Sequence, residues 1–250
     1  MDLSVHTLFF SPTGGTRKAA SLFAHSLSSH VEEHSLEQPV TGFSSDDFVV
    51  VALPVFTGRL PAYAREKLKA INGGGAKTVA MTVYGNRDFE DALLELQDLL
   101  IEQNFRPVAA IAAVAQHSMM SSLAAHRPDE QDGAQLAEFA QKVAEKLVSC
   151  DCCNSPCVPG NRPYREPEPT PVIPATNENC VQCGLCAARC PVGAIDPADP
   201  SHNPTLCILC MRCAGICPTK AKDLPSPVRE NISAFLSQFQ ANRRPNQLFL

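Results

Sequence analysis

The amino-acid sequence predicts an α/β chain in two parts: a doubly wound sheet of five parallel strands over residues 1–149, then a small α+β domain organised by cysteines. Three observations carry this expectation. Short apolar runs alternate with helical patterns through the first part, a proline-rich stretch then interrupts them, and eight of the 12 cysteines follow in two copies of one spacing. A length of 250 residues suits one domain of about 150 residues with a smaller one attached.

The expected strands are residues 5–10, 48–53, 78–83 and 108–114, with a weaker one at 31–36. Their near-continuous apolar character is that of parallel strands covered on both faces. Helices are expected between them. Residues 16–27 carry Ala19, Ala20, Phe23 and Leu27 on one face; 89–101 carry Leu93, Leu96 and Leu100; 135–147 carry Leu136, Phe139, Val143 and Leu147. A shorter helix at 62–70 follows Pro61, whose fixed φ suits a first turn. Right-handed crossovers between such strands put a ligand crevice at their carboxyl ends.

Residues 150–176 form a linker rich in proline, expected to be stiff, extended and able to wrap the first domain. Its start holds Cys150, Cys152, Cys153 and Cys157, whose spacing matches neither of the later cysteine runs nor a zinc knuckle; free thiols or adventitious metal are expected there rather than a third site. Residues 177–224 form the small domain. In 225–250, Val228, Ile232, Phe235, Leu236 and Phe239 recur at helical spacing and predict an amphipathic helix that ends before Asn242-Arg243-Arg244-Pro245, followed by a tail.

The cysteine runs are Cys180-x2-Cys183-x2-Cys186-x3-Cys190-Pro191 and Cys207-x2-Cys210-x2-Cys213-x3-Cys217-Pro218. Three thiolates so spaced curl around three irons of one cubane, while the fourth, turned by its proline, ligates the other cluster. One 4Fe-4S cluster is therefore expected on Cys180, Cys183, Cys186 and Cys217, and a second on Cys207, Cys210, Cys213 and Cys190. Zinc would call for two well-separated CxxC pairs, and a disulfide staple needs no doubled register. So short a repeat buries little apolar surface, so the clusters must serve as its core.

The first strand empties into Phe10-Ser11-Pro12-Thr13-Gly14-Gly15-Thr16 and then a helix. Glycines let backbone amides face a phosphate, hydroxyls add donors, and the helix amino terminus favours a dianion. No Gly-Lys-Thr ending and no GxGxxG are present, which argues against nucleoside triphosphate and dinucleotide loops. The alternative is an ordinary strand-to-helix turn capped by Thr16.

Ser11, Thr13, Gly14 and Thr16 match the phosphate loop of flavodoxins, although Phe10 stands where small residues are usual. With Leu-Pro-Val-Phe-Thr-Gly-Arg-Leu-Pro at 53–61, Tyr-Gly-Asn-Arg-Asp-Phe at 84–89 and the paired cysteine runs, the chain resembles the bacterial flavodoxin-ferredoxin fusion family often called EFR-type ferredoxins. The resemblance implies FMN, a flavodoxin-like sheet of order 2-1-3-4-5 and a bacterial-type two-cluster ferredoxin domain. It also implies an anaerobic setting. Cofactor contacts are then expected from Ser11, Thr13, Gly14, Gly15 and Thr16 at the phosphate; from Phe56, Thr57, Gly58 and Arg59 on one side of the flavin; and from Tyr84, Gly85, Asn86 and Arg87 on the other. Phe56 and Tyr84 are the stacking candidates in a chain without tryptophan. Arg59 and Arg87 are candidates for stabilising reduced flavin, and Asn86 for a ring hydrogen bond or a turn. His117, beyond the fifth strand, lines the flavin, faces the clusters or is a surface loop residue.

The joined modules predict an electron-transfer protein that passes single electrons between FMN and two 4Fe-4S clusters, with a protein redox partner. Two other readings stay open: a flavin-dependent reductase of a quinone or nitro compound, and a ferredoxin whose first domain is a flavin-free scaffold. No acid-base dyad or nucleophile-base pair is visible. No apolar run reaches the length of a membrane span, and no signal sequence is evident, so a cytoplasmic protein is expected. The net charge of −5 with scattered basic residues gives no reason to expect nucleic acid.

Overall fold

A computed structural model describes residues 4–149, 154–167, 172–201 and 204–250. The chain runs β1 (Val5–Phe9), α1 (Gly15–Leu27), β2 (Val31–Ser35), β3 (Phe48–Pro54), α2 (Ala62–Lys69), β4 (Lys77–Tyr84), α3 (Ala92–Glu102), β5 (Arg106–Val114) and α4 (Glu130–Ser149). Beyond the linker come β6 (Ala175–Thr176), α5 (Leu185–Ala188), α6 (Arg212–Ile216), β7 (Lys222–Asp223), α7 (Ser226–Ser237) and β8 (Gln247–Phe249). The five parallel strands stand in the order β2-β1-β3-β4-β5, the flavodoxin-like doubly wound order.

The sheet separates two apolar layers. On one face Ala64 and Leu68 of α2 and Leu93, Leu96 and Leu100 of α3 pack against Leu8, Val49, Val51 and Ala110. On the other, Phe23 of α1 and Leu136, Phe139 and Val143 of α4 meet Val5, Val50, Met81 and Ile111. Alternation along each strand sends successive side chains to opposite layers, and all seven residues of β3 are buried as a result. The helices match the sequence reading closely, although α3 begins at Ala92 rather than 89 and α4 at Glu130 rather than 135.

One element departs from the expectation. The last residues are more than a tail: β8 adds a sixth, antiparallel strand beside β5, pairing Ala110 with Phe249 and Ala112 with Gln247. A polar side chain makes the join, because Asn246 Oδ1 accepts the Val114 N–H at 2.8 Å. The strand covers an edge that β5 would otherwise leave open.

The described part of the linker lies along α3. The Asn161 and Arg165 N–H groups donate to the Asp91 carboxylate at 2.9 and 2.7 Å, while Arg162 Nε and the Tyr164 hydroxyl donate to Asp98 at 2.8 and 2.5 Å. Gly160 sits so close to Leu94 that a Cβ there would fall 2.7 Å from the leucine Cβ. The small domain follows with its two short helices packed together and β6 paired antiparallel to β7. Among the described residues no helix is long and apolar enough to cross a membrane.

Candidate cofactor site

The carboxyl ends of β1, β3, β4 and β5 open into one cavity of about 460 Å³. Its walls include Thr13, Gly15 and Thr16 from the first loop, Phe56 and Thr57 from the second, Tyr84, Gly85 and Arg87 from the third, and His117 from the fourth. Gly14 caps α1 in the left-handed region (φ 92°), and nothing lies within 4 Å of where its Cβ would be. Gly15 meets the end of β5, where a Cβ would stand 2.8 Å from that of Ala115. The second loop is a tight turn closed by Phe56 N–H to Arg59 O (2.9 Å) and Arg59 N–H to Phe56 O (3.1 Å), with Gly58 at φ 80°. Gly85 leaves no room for a side chain because the His117 ring lies directly over it. Burial, followed by the nearby Arg87 charge, pushes the His117 pKa down to about 4, so the imidazole is neutral at ordinary pH.

Several predicted contacts stand elsewhere. Ser11 Oγ is engaged by the Arg17 N–H at 2.9 Å and braces the loop. Arg59 does not face the cavity; its guanidinium makes a paired contact with Glu95 (2.9 and 2.9 Å) and lies 4.9 Å from the Tyr164 ring centroid. Asn86 gives its side-chain amide to Phe239 O and Asn242 O at 3.0 and 2.8 Å, and accepts the Arg244 N–H at 3.1 Å. It anchors the C-terminal segment. The Tyr84 ring is buried against Phe89 at 5.4 Å, while Phe56 is half-buried; both line the cavity. Arg87 lines the cavity and is paired with Glu90 at 2.6 Å.

The opposite wall comes from the second part of the chain. It consists of Cys207, Ile208, Leu209 and Cys210 from the small domain, with Ile232, Phe235 and Leu236 of α7. Arg212, two residues beyond Cys210, fixes this wall to the phosphate loop. It pairs with Glu37 through two 2.5 Å contacts and donates to Pro12 O at 3.0 Å. The signal in the sequence was faint: an arginine placed inside a cysteine run.

The eight cysteines fall into two groups. Cys180, Cys183, Cys186 and Cys217 line one cavity of about 230 Å³; Cys190, Cys207, Cys210 and Cys213 surround a much tighter one. Burial raises the pKa values of Cys207 and Cys210, with Cys190 adding to both, and takes Cys213 to about 12 with help from Cys210. These thiols are therefore mutual neighbours. Among the described residues no three cysteine sulfurs lie within 4.8 Å of one another, whereas a single tetrahedral zinc would bring them to about 3.8 Å. The donor sets fit a larger inorganic core.

The repeat is also visible in the backbone. Left-handed residues Gln182, Gly184 and Gly193 recur as Leu209, Met211 and Lys220, each 27 positions later. In both copies the fourth sulfur accepts a backbone N–H at 3.2 Å, from Ala194 to Cys190 and from Ala221 to Cys217. Burial alone would raise Cys217, but the Thr219 and Ala221 donors bring its pKa below the usual thiol value. Of the four surplus cysteines, Cys157 is exposed, and the other three lie outside the described residues.

Residues 175–196 and 200–223 match the family described as 4Fe-4S binding domain. No curated protein matches the chain. Among solved structures, a flavodoxin from the domain Archaea is 17% identical, covering 58% of this chain and 99% of its own with a TM-score of 0.43. A flavodoxin of Streptococcus pneumoniae TIGR4 is 19% identical over 57% of this chain and 98% of its own (TM-score 0.41), and oxidised flavodoxin 2 from Bacillus cereus is 18% identical over 57% and 99% (TM-score 0.42). On its strand order and its matched cysteine repeat, the chain joins a flavodoxin-like α/β domain to a 4Fe-4S ferredoxin-type domain, as in a flavodoxin-ferredoxin fusion.

Proposed function

We propose that this chain is an electron-transfer protein that moves single electrons between FMN and two 4Fe-4S clusters, to or from a redox partner protein. One observation carries the reading: a single cavity is lined on one side by Thr13, Thr16, Thr57 and Gly85 and on the other by Cys207 and Cys210. When bound, the flavin supplies exchange between paired and single electrons, and each cluster supplies a one-electron relay.

The chain's own residues provide position and electrostatics. The amino terminus of α1, with Thr13 and Thr16 beside it, suits a phosphate. Gly85 gives the His117 ring room against the third loop, Phe56 offers an aromatic face, and neutral His117 adds no charge to that wall. The Ala194 and Ala221 amides place N–H donors on the sulfurs of Cys190 and Cys217, the two that would cross between cluster sites. A small-molecule reductase would need an open approach to the ring, whereas Ile208, Ile232 and Leu236 stand on that side. Their presence favours the carrier over the reductase.

Purification of the full chain without oxygen tests this reading. About one FMN and about eight irons per chain are expected, and photoreduction of the flavin should produce the electron paramagnetic resonance signal of reduced clusters. Iron at that level with no flavin, even after FMN is added back, would overturn the proposal in favour of a ferredoxin on a flavin-free scaffold.

A further inference from the structure

Outside the cofactor cavity, β1, the edge strand β2 and the turn before β3 bring two histidines and two carboxylates together. His6 of β1 is paired in register with Glu32 of β2, so both point to the same face of the sheet, and His34 lies two residues further along that face. His6 Nδ1 stands 3.1 Å from His34 Nε2. Glu32 completes the group, its Oε2 3.6 Å from His6 Nδ1 and its Oε1 3.6 Å from His34 Nε2.

We propose that His6, His34 and Glu32 bind a divalent transition-metal cation of the zinc type, independently of the flavin and the clusters. The distances support this directly. Nitrogen and oxygen ligands about 2.0–2.1 Å from a tetrahedral zinc stand about 3.3–3.4 Å from one another; here the two imidazole nitrogens are 3.1 Å apart, each has a Glu32 oxygen at 3.6 Å, and one ligand atom from each of the three residues lies within 4.8 Å of the others. The donor set of two imidazoles and one carboxylate suits zinc and its first-row neighbours better than calcium or magnesium, which prefer oxygen alone.

The surroundings are those of a prepared ligand. His6 turns its other nitrogen, Nε2, toward Asp47 Oδ1 at 3.4 Å and Ser4 Oγ at 3.2 Å. A carboxylate behind a histidine in this way fixes the tautomer and turns Nδ1 toward His34 and Glu32. The Phe43 ring packs edge-on against both imidazoles, with centroids at 5.5 and 5.8 Å, and closes one side. The His6 and His34 side chains are 13% and 22% exposed and Glu32 is 68% exposed, so water has access to a fourth position. A bound ion would lace the outer strand β2 to β1, and through Asp47 to the start of β3.

The test uses the full chain, purified without oxygen and with its clusters in place so that their eight cysteines are occupied. One equivalent of zinc chloride is added, unbound metal is removed by gel filtration, and the zinc environment is read by X-ray absorption. One zinc per chain in a nitrogen and oxygen shell is expected, with no sulfur shell near about 2.3 Å. His34→Gln, on the solvent-facing edge strand, should abolish retention while the cluster absorbance is unchanged, and Asp47→Asn should weaken binding about 10- to 100-fold. A sulfur-dominated spectrum, no retained zinc, or retention unchanged in His34→Gln would overturn the site. If His6→Gln fails to fold, His34→Gln and Glu32→Gln still decide the matter.

Discussion

At the scale of single residues, the His117 imidazole lies over Gly85 in the wall of the cofactor cavity, and burial holds its pKa near 4 against 6.5 for an ordinary histidine. The unfolded chain therefore binds the proton first as pH falls. Stability from this residue is whole above about 6.5, declines as pH drops toward 4, and at pH 5 is lower by about 2 kcal/mol. Thermal midpoints of wild type and His117→Gln, compared between pH 7 and 5, should converge or cross as wild type loses its advantage; parallel curves would refute the assignment. Gly85 gives a second test in the same wall. Any side chain there meets His117, so Gly85→Ala should lower flavin retention by about tenfold or more, roughly the 1.4 kcal/mol expected for a modest displacement of the loop. Equilibrium dialysis against FMN measures it.

At the scale of elements, the C-terminal segment is held by a buried polar knot. Arg127, 5% exposed, makes a paired contact with Asp132, 1% exposed, at 2.9 and 2.5 Å and also donates to Arg244 O at 2.8 Å. The Asn246 side-chain amide donates to the same Asp132 at 3.1 Å. Removing the cation would leave the buried Asp132 carboxylate with Arg243 at 3.3 Å and neutral donors alone, so Arg127→Met should cost about 3 kcal/mol and release β8, seen as a lower thermal midpoint and faster amide exchange in β5. None of this knot was legible in the sequence, while the five parallel strands were. A strand buried on both faces declares itself within six or seven apolar residues; β8 has three half-buried residues, and its placement depends on Asn246 meeting Val114 across 132 positions. Arg59 was misplaced for the same reason. It follows the turn that borders the cavity, yet its partner Glu95 lies on α3, where a carboxylate among Leu93, Leu94 and Leu96 was the one available hint. The cysteine repeat was fully legible because its chemistry fixes spacing along the chain itself.

For the whole molecule, the proposed transfer between the two domains would depend on how firmly they dock, a geometry that the sequence does not reveal. Arg212 holds the answer in one side chain. It sits between Cys210 and Cys213, grips Glu37 at the end of β2, and donates to the carbonyls of Pro12 and, less closely, Ser11 in the phosphate loop. Glu37 raises the Arg212 pKa further above its already high value, so the cation persists at every workable pH. The docking should therefore depend on salt more than on acidity, and only weakly on salt, because both partners are largely shielded from solvent at 13% and 22% exposure. Cutting the pair by Arg212→Ala should weaken docking by about 2 kcal/mol or more and leave both cofactor sites intact, since neither Arg212 nor Glu37 is among the expected ligands. Flavin and iron content should match wild type while stopped-flow transfer from reduced flavin to the clusters slows markedly. Glu37→Gln, which keeps the shape and removes the charge, should fall between. Normal transfer in Arg212→Ala would mean that α7 and the Ile208 wall alone hold the domains in register, and that the arginine serves the cluster rather than the contact.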